Sequence, residues 1–487
     1  MACRLLLKDL SRDEKEKIIK DCTITPAETE YGQSSQGVFC CDVVKPSKPN
    51  DPEYIYIPYS YVYHYLTKHY KDYPNEDLIF KKWKTDLEFS IPLFDRQKSV
   101  IPEICETLSR THTVCISLSC GYGKTFLSIF LATKLKFKVL MTVFREELLE
   151  QYRESILIAC PKAIIQILDS TCKMNPDAHF YLIGIISLPK RSRSDYLGIG
   201  TFIVDEFHTT LSPVFSRALL HICPKYVIGL SATPYKTDFT RLIEYHFGIE
   251  IIYRELYRPY NIYIIESGFK PIAESNKQGK LDWHSILRQQ AEDNDLSLLI
   301  VDIVKFFQAR EIMVLCKRVD QSKKILSLLK EEKIDCDIFA ENKKKYNKAC
   351  RVLIVTYSKG GVGFDAPKTN MLIIAGDVAT SFIQYLGRTF RSNDIPIVVD
   401  FRHKQFTMNQ HLNLGRSITY SVTGGEIRDF DKAFPEFELW RSGEHYFTSD
   451  IIIEKIRKIR EEDKQKEIDD KKIKLLKENE AKIVFDE

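Results

Sequence analysis

The sequence predicts an α/β chain: two tandem units, each a parallel sheet with helices on both faces. Three observations predict it. Short apolar runs ending in small or polar residues recur in two series. KFKVLMTV, FIVDE and YVIGLSAT fall in the first; EIMVLCK, VLIVTYS, NMLIIAG and IPIVVD fall in the second. Runs of that kind are strands buried on both faces. Helix-like segments separate them, which gives a βαβ rhythm. Finally, a glycine-lysine loop occurs in the first series and has no counterpart in the second.

In chain order, residues 1–90 read as an accessory region and 91–247 as the first unit. A connecting region, 248–295, leads to the second unit, 296–420. A C-terminal region, 421–487, carries a charged helix from about Asp450. That helix has i,i+4 pairs such as Glu454–Lys458 and Glu478–Lys482, and reads as solvated. In the leading region, Tyr59, Tyr61, Tyr63 and Tyr65 alternate, so a strand would place them on one face. A half-buried sheet is the expected outcome, and a base-stacking surface is the alternative.

Composition limits the function classes. Of 487 residues 44% are hydrophobic and 28% charged, which suits a globular chain. No apolar run approaches the length of a membrane span. The three-leucine patch near the N-terminus is too short for a signal peptide. Thirteen cysteines occur without C-x-x-C spacing. They read as reduced thiols of an intracellular protein, and no structural metal is expected. A net charge of +4 is nearly balanced, so a nucleic-acid partner needs a local basic groove.

The loop is SLSCGYGKT, Ser117 to Thr125, placed between an apolar strand and a helix-like run. That context is what a phosphate-binding loop requires. Backbone N–H groups at a helix N-terminus point at an anion. Gly121 and Gly123 let the backbone wrap a phosphate, with Cys120 and Tyr122 completing the turn. Lys124 reaches the β- and γ-phosphates, and the Thr125 hydroxyl holds Mg²⁺. Leu118 stands where the full pattern has glycine. Eighty residues on, FIVDEFH ends an apolar strand in two carboxylates. Asp205 suits Mg²⁺, and Glu206 suits the general base that polarises the attacking water. Gln97, in FDRQKSV, has an amide able to donate to and accept from adenine at once.

With DEFH, GLSATP (Gly229 to Pro234), TYSKGGVGFDAP (Thr356 to Pro367) and QYLGRTFR (Gln384 to Arg391) in this order, the chain resembles a superfamily 2 helicase of the DExH type. The likeness covers about Ile91 to Arg391. It implies two RecA-like domains, ATP and Mg²⁺ as cofactors, and DNA or RNA as partner. Arg388 and Arg391 are implied to act as fingers on the transition state, supplied by the second domain. His208 is implied to sense Gln384, and Ser231 and Thr233 to link ATP to strand movement. Thr356, Gly363 and Asp365 are implied at the cleft and the nucleic-acid backbone. VFREELLEQY resembles the strand-binding motif V-P-T-x-x-L-x-x-Q-W, with Arg145 standing where threonine contacts phosphate.

Within the superfamily the chain is similar to helicases of large DNA viruses, namely the poxvirus transcript-release helicase and its African swine fever virus counterpart. An iridovirus-like source fits. The expected activity is an ATP-dependent helicase or translocase in viral transcription or replication, located in host cytoplasm or virion, with the transcription machinery as a candidate partner. The alternative is an ATPase that displaces transcripts or proteins without processive unwinding. Cys120, inside the loop, is expected to make the ATPase sensitive to thiol alkylation.

Overall fold

The computed structural model describes residues 2–24, 38–44, 52–66, 78–119, 121–210, 213–232, 240–255, 258–276, 279, 281–341, 343, 345–359, 368–378, 382–389 and 394–443, with isolated positions 454–455, 458–459, 461 and 465. Two compact units divide the chain, Met1–Leu256 and Tyr257–Glu487.

The first unit is built on seven described strands in the order Ile251–Arg254, Thr113–Leu118, Tyr226–Ser231, Thr201–Asp205, Val139–Val143, Phe180–Gly184 and Ile165–Leu168. Every pairing is parallel. The five central strands are buried almost from end to end, which explains their unbroken apolar runs. Register sets the strand ends level. Ser231 pairs with Ser117, and Asp205 pairs with Leu230. The phosphate-loop strand and the DEFH strand therefore flank the GLSATP strand and finish at one edge. In an open parallel sheet that carboxyl edge is where ligands bind.

The described residues among 2–66 pack onto this unit. Ala2–Leu6, Tyr54–Pro58 and Asp42–Val44 form an antiparallel sheet. The helix Arg12–Asp21 beside them starts with a capping box between Ser11 and Glu14. Cys3, Leu5, Ile55 and Ile57 share one core with Leu140, Tyr181 and Phe202. Ala2 N–H donates to Ile222 O at 2.8 Å, and the Tyr59 hydroxyl to Lys225 O at 3.1 Å.

The tyrosine run departs from the expected strand. Only Tyr54–Pro58 is extended; Tyr59–Tyr65 is a helix. Pro58 sits at the junction with its φ held at −52°. Tyr61 and Tyr65, one helical turn apart, stack at 5.1 Å, and Tyr245 packs edge-on to both. Tyr59 and Tyr61 are core residues. Packing against this unit has overridden local strand propensity.

The second unit has seven described strands in the order Cys336–Phe339, Val352–Thr356, Ile312–Cys316, Met371–Ile374, Ile397–Arg402, Tyr260–Glu266 and Gly425–Asp429, all parallel. Alternate residues feed separate cores. Val314, Ile354 and Val399 belong to one, and Met313, Leu353 and Val398 to the other. Helices such as Asn294–Phe306 cover the first core, and Ile383–Thr389 covers the second.

Among the described residues of 248–295, two strands join the sheets and Trp283–Glu292 is a helix. Ile251–Arg254 edges the first sheet, and Tyr260–Glu266 lies inside the second. Gly425–Asp429 and the helices Phe430–Ala433 and Glu436–Arg441 also belong to the second unit. The charged tail lies mostly outside the described residues; Lys455 pairs with Glu436 at 2.7 Å. No described helix is long and apolar enough to cross a membrane.

Candidate active site

The phosphate loop leaves the strand Thr113–Leu118 and enters the helix Lys124–Leu135. Leu118 is fully buried as the last strand residue, so the position lies before the turn and has no need of glycine. Gly121 and Gly123 have φ of 81° and 96°, the left-handed region that glycine enters without strain. A Cβ on Gly123 would stand 2.4 Å from Gln97 Nε2. The ammonium of Lys124 donates to Leu118 O at 2.8 Å, which folds it back over the loop. Cys120 lies outside the described residues.

The loop is braced by the start of the helix Asp95–Thr111. Gln97 Oε1 accepts from Phe94 N–H at 2.8 Å, and Gln97 Nε2 donates to Gly123 O at 3.0 Å. Arg96 donates to Gly121 O at 3.3 Å, and the Tyr122 hydroxyl donates to Arg96 O at 2.7 Å. Gln97 is buried, so its bonds run in a screened setting where they count for more. Arg96 is a member of this brace that sequence reasoning missed. Its only sequence signal is its place beside Gln97.

Asp205 ends its strand in a buried position. Burial, reinforced by the charge of Glu206, pushes its carboxyl up to about 7, against the opposing influence of Tyr152 and Lys124. The Tyr152 hydroxyl lies against both the Asp205 carboxylate and the Thr125 hydroxyl, and burial pushes that phenol well up. Tyr152 comes from the helix Glu147–Ala159 and was not singled out from sequence. It occupies the place of the tryptophan in the strand-binding motif, and that was the available signal.

Glu206 adopts φ of 46°. A non-glycine residue there costs about 1–2 kcal/mol, and such strain collects at functional sites. His208 Nδ1 lies 2.9 Å from Ser231 Oγ and 3.4 Å from Glu206 Oε2. The structure therefore joins the DEFH and GLSATP segments through one imidazole. Arg145, partly exposed, lies in the turn after Val139–Val143 at the same sheet edge.

In the second unit Thr356 ends its strand buried, with Oγ1 3.2 Å from Ser358 Oγ. Gln384 and Arg388 lie on the helix Ile383–Thr389, their side chains outside the described residues. Thr233, Gly363, Asp365 and Arg391 also lie outside them.

Lys124, Thr125, Tyr152, Asp205 and Glu206 thus gather beside a glycine loop at a helix N-terminus. Such a group can take a phosphate chain, hold a hard cation between oxygen donors and polarise a water.

Comparison with known proteins bears on the family and the fold. Residues 90–236 match the family described as "Type III restriction enzyme, res subunit". The chain is 35% identical over 372 residues to "Putative helicase 161L" of Invertebrate iridescent virus 6, covering 70% of this chain and 84% of that protein. It is 30% identical over 309 residues to "Putative helicase 055L" of Frog virus 3, covering 61% and 71%. Its fold is similar to that of S. cerevisiae Dbp5 bound to RNA and ADP BeF3, with a TM-score of 0.51 at 12% identity over 72% of this chain and 98% of that one. The two parallel-sheet units are tandem RecA-like domains. The chain belongs to the superfamily 2 helicases, in the branch these iridovirus proteins represent, and is an ATP-hydrolysing enzyme that acts on nucleic acid.

Proposed function

We propose that the chain binds the phosphates of ATP on Gly121–Thr125 and hydrolyses the γ-phosphoryl group with Glu206 as general base. Lys124 neutralises the β- and γ-phosphates. Arg388 and Arg391 neutralise charge that develops on the transferred group. His208 and Ser231 relay the state of the nucleotide, together with Thr233, Gln384, Gly363 and Asp365. Arg145 and Thr356 hold the phosphate backbone of single-stranded DNA or RNA.

The observation that carries this reading is the level strand register. It sets the ends of the phosphate-loop, DEFH and GLSATP strands side by side at one sheet edge. Mg²⁺ fits the donor set. Thr125 and Asp205 converge on one hydroxyl, that of Tyr152, and burial together with the charge of Glu206 raises the Asp205 carboxyl, which a cation between these oxygens would offset. When bound, that ion supplies charge to the phosphate oxygens. Resemblance of the motifs to viral transcript-release helicases supports a role beside the transcription machinery.

Lys124→Ala is expected to abolish ATP hydrolysis and leave much of the nucleic-acid binding in place. The test is steady-state ATPase with single-stranded DNA, duplex DNA and RNA side by side. Hydrolysis by the variant at the parent rate would overturn the site assignment.

A further inference from the structure

Beneath the helix Ile383–Thr389 the second unit holds a continuous buried polar network that no part of the proposed hydrolysis uses. At its centre is Arg416. Its guanidinium donates to Asp400 Oδ2 at 2.7 Å, Asp377 Oδ1 at 3.0 Å and Val378 O at 2.5 Å. Arg416, Asp377 and Asp400 are all buried. His411 Nδ1 lies 2.5 Å from the other oxygen of Asp377. The Tyr420 hydroxyl donates to Asp400 at 2.8 Å. Arg416 is delivered by a π-helical turn, His411–Arg416, a form that gathers at functional places.

The network holds a stretch of backbone, Ala375–Val378, residue by residue. Ala375 O accepts from Gln321 Nε2 at 2.9 Å, and Gly376 O from the Tyr357 hydroxyl at 3.3 Å. Asp377 N–H donates to Gln290 Oε1 at 3.2 Å, and Val378 O accepts from Arg416. A Cβ on Gly376 would stand 2.2 Å from Lys317 N. In the sequence this stretch precedes the helix that carries Gln384 and Arg388. That helix has a second hold. The Tyr385 hydroxyl donates to Tyr357 O at 2.5 Å, their rings meet edge to face at 5.4 Å, and Phe382 packs on Tyr420 at 5.2 Å. Tyr357 follows Thr356 directly, so the same residue touches the TYSKGG segment, the clamped stretch and the arginine helix.

Buried ion clusters contribute little net stability, since desolvation offsets their attraction. One charge-bearing guanidinium set against two buried carboxylates is a costly way to fill a core. It does fix a geometry. We propose that Arg416 and Tyr385 are positioning residues. Arg416 sets the helix Ile383–Thr389 through Asp400, Tyr420 and Phe382, Tyr385 sets it through Tyr357, and Tyr357 passes the state of the Thr356 segment to Arg388. The inference rests on the proposed role of Arg388 and goes beyond it by naming what orients its helix.

The test uses the full chain and four variants. Tyr385→Phe removes one hydroxyl and keeps the ring. Arg416→Lys keeps the charge and loses the fork. Arg388→Ala removes the finger that this helix carries, and the fourth combines Tyr385→Phe with Arg388→Ala. ATPase is measured with poly(dT) and poly(U), beside mant-ADP binding and thermal unfolding. Tyr385→Phe is expected to lower polymer-stimulated kcat about ten- to a hundredfold, with mant-ADP affinity and melting temperature unchanged. Arg416→Lys is expected to follow it if it folds; Tyr385→Phe decides if it does not. The double variant is expected to be no slower than Arg388→Ala alone. An unchanged kcat in Tyr385→Phe, or additive losses in the double variant, would overturn the inference. A normal rate in Arg388→Ala would overturn the finger assignment itself, and this inference with it.

Discussion

Tyr152 shows what a single residue adds to a recognised site. Its hydroxyl faces both oxygen donors proposed for Mg²⁺, and its contact favours the ionised form of Asp205. Tyr152→Phe keeps the ring in its buried slot and removes that contact. A hydrogen bond to a charged group is worth about 1.5–3 kcal/mol. The Mg²⁺ concentration for half-maximal ATPase is therefore expected to rise, with mant-ADP affinity in Mg²⁺-free buffer unchanged. A magnesium titration of both proteins checks it, and overlapping curves would remove Tyr152 from the site. Lys124, Thr125, Asp205 and Glu206 were legible because each belongs to a motif with fixed spacing. Tyr152 was not, because its partners lie 27 and 53 positions away in the sequence, and only the sheet brings them together. The φ of Glu206 was equally hidden, since nothing in a residue's identity announces a left-handed backbone.

Among elements, the parallel strands read most clearly. An apolar run buried on both faces looks the same whatever its neighbours are. The tyrosine segment read poorly because period two and aromatic content both favour a strand, and neither reports the packing of Tyr61 and Tyr65 on Tyr245. The helix start at Asp95 lies between these cases. Gln97 was singled out for adenine, yet its amide spans Phe94 N–H and Gly123 O and ties that helix to the phosphate loop. The two roles give different outcomes. If Gln97 mainly braces the loop, Gln97→Ala lowers ATPase and GTPase by the same factor. If it mainly reads the base, the variant narrows the gap between ATP and GTP. Both ends of the buried amide are taken, by Phe94 N–H and by Gly123 O, which favours the brace, so the expected result is a parallel fall. Steady-state rates with both nucleotides decide it.

At the scale of the whole molecule, stability and function draw on the same buried polar groups. His403 closes the second unit's network. Its Nδ1 meets Ser267 Oγ at 2.6 Å, and its Nε2 meets Gln290 Nε2 at 3.1 Å. Gln290 Oε1 already accepts from Asp377 N–H, so its amide nitrogen faces the imidazole. His403 Nε2 must then accept, and Nδ1 carries the proton. A second proton has no acceptor on that side. Burial pushes His403 down to about 4 from an ordinary 6.5. The sign follows by linkage. Below pH 6.5 the unfolded chain takes up a proton that the folded chain refuses until pH falls to about 4. The stability held by a neutral His403 is present above pH 6.5 and is lost as pH falls through that window. Between pH 7 and pH 5 the loss is about 2 kcal/mol. His403→Gln is expected to be less stable than the parent at pH 7 and to lose less on going to pH 5. Urea unfolding at both pH values measures it. Equal losses in parent and variant would mean that His403 already carries its proton in the folded state. Nδ1 would still donate to Ser267, and Gln290 would have to turn its Oε1 towards Nε2 and release Asp377 N–H.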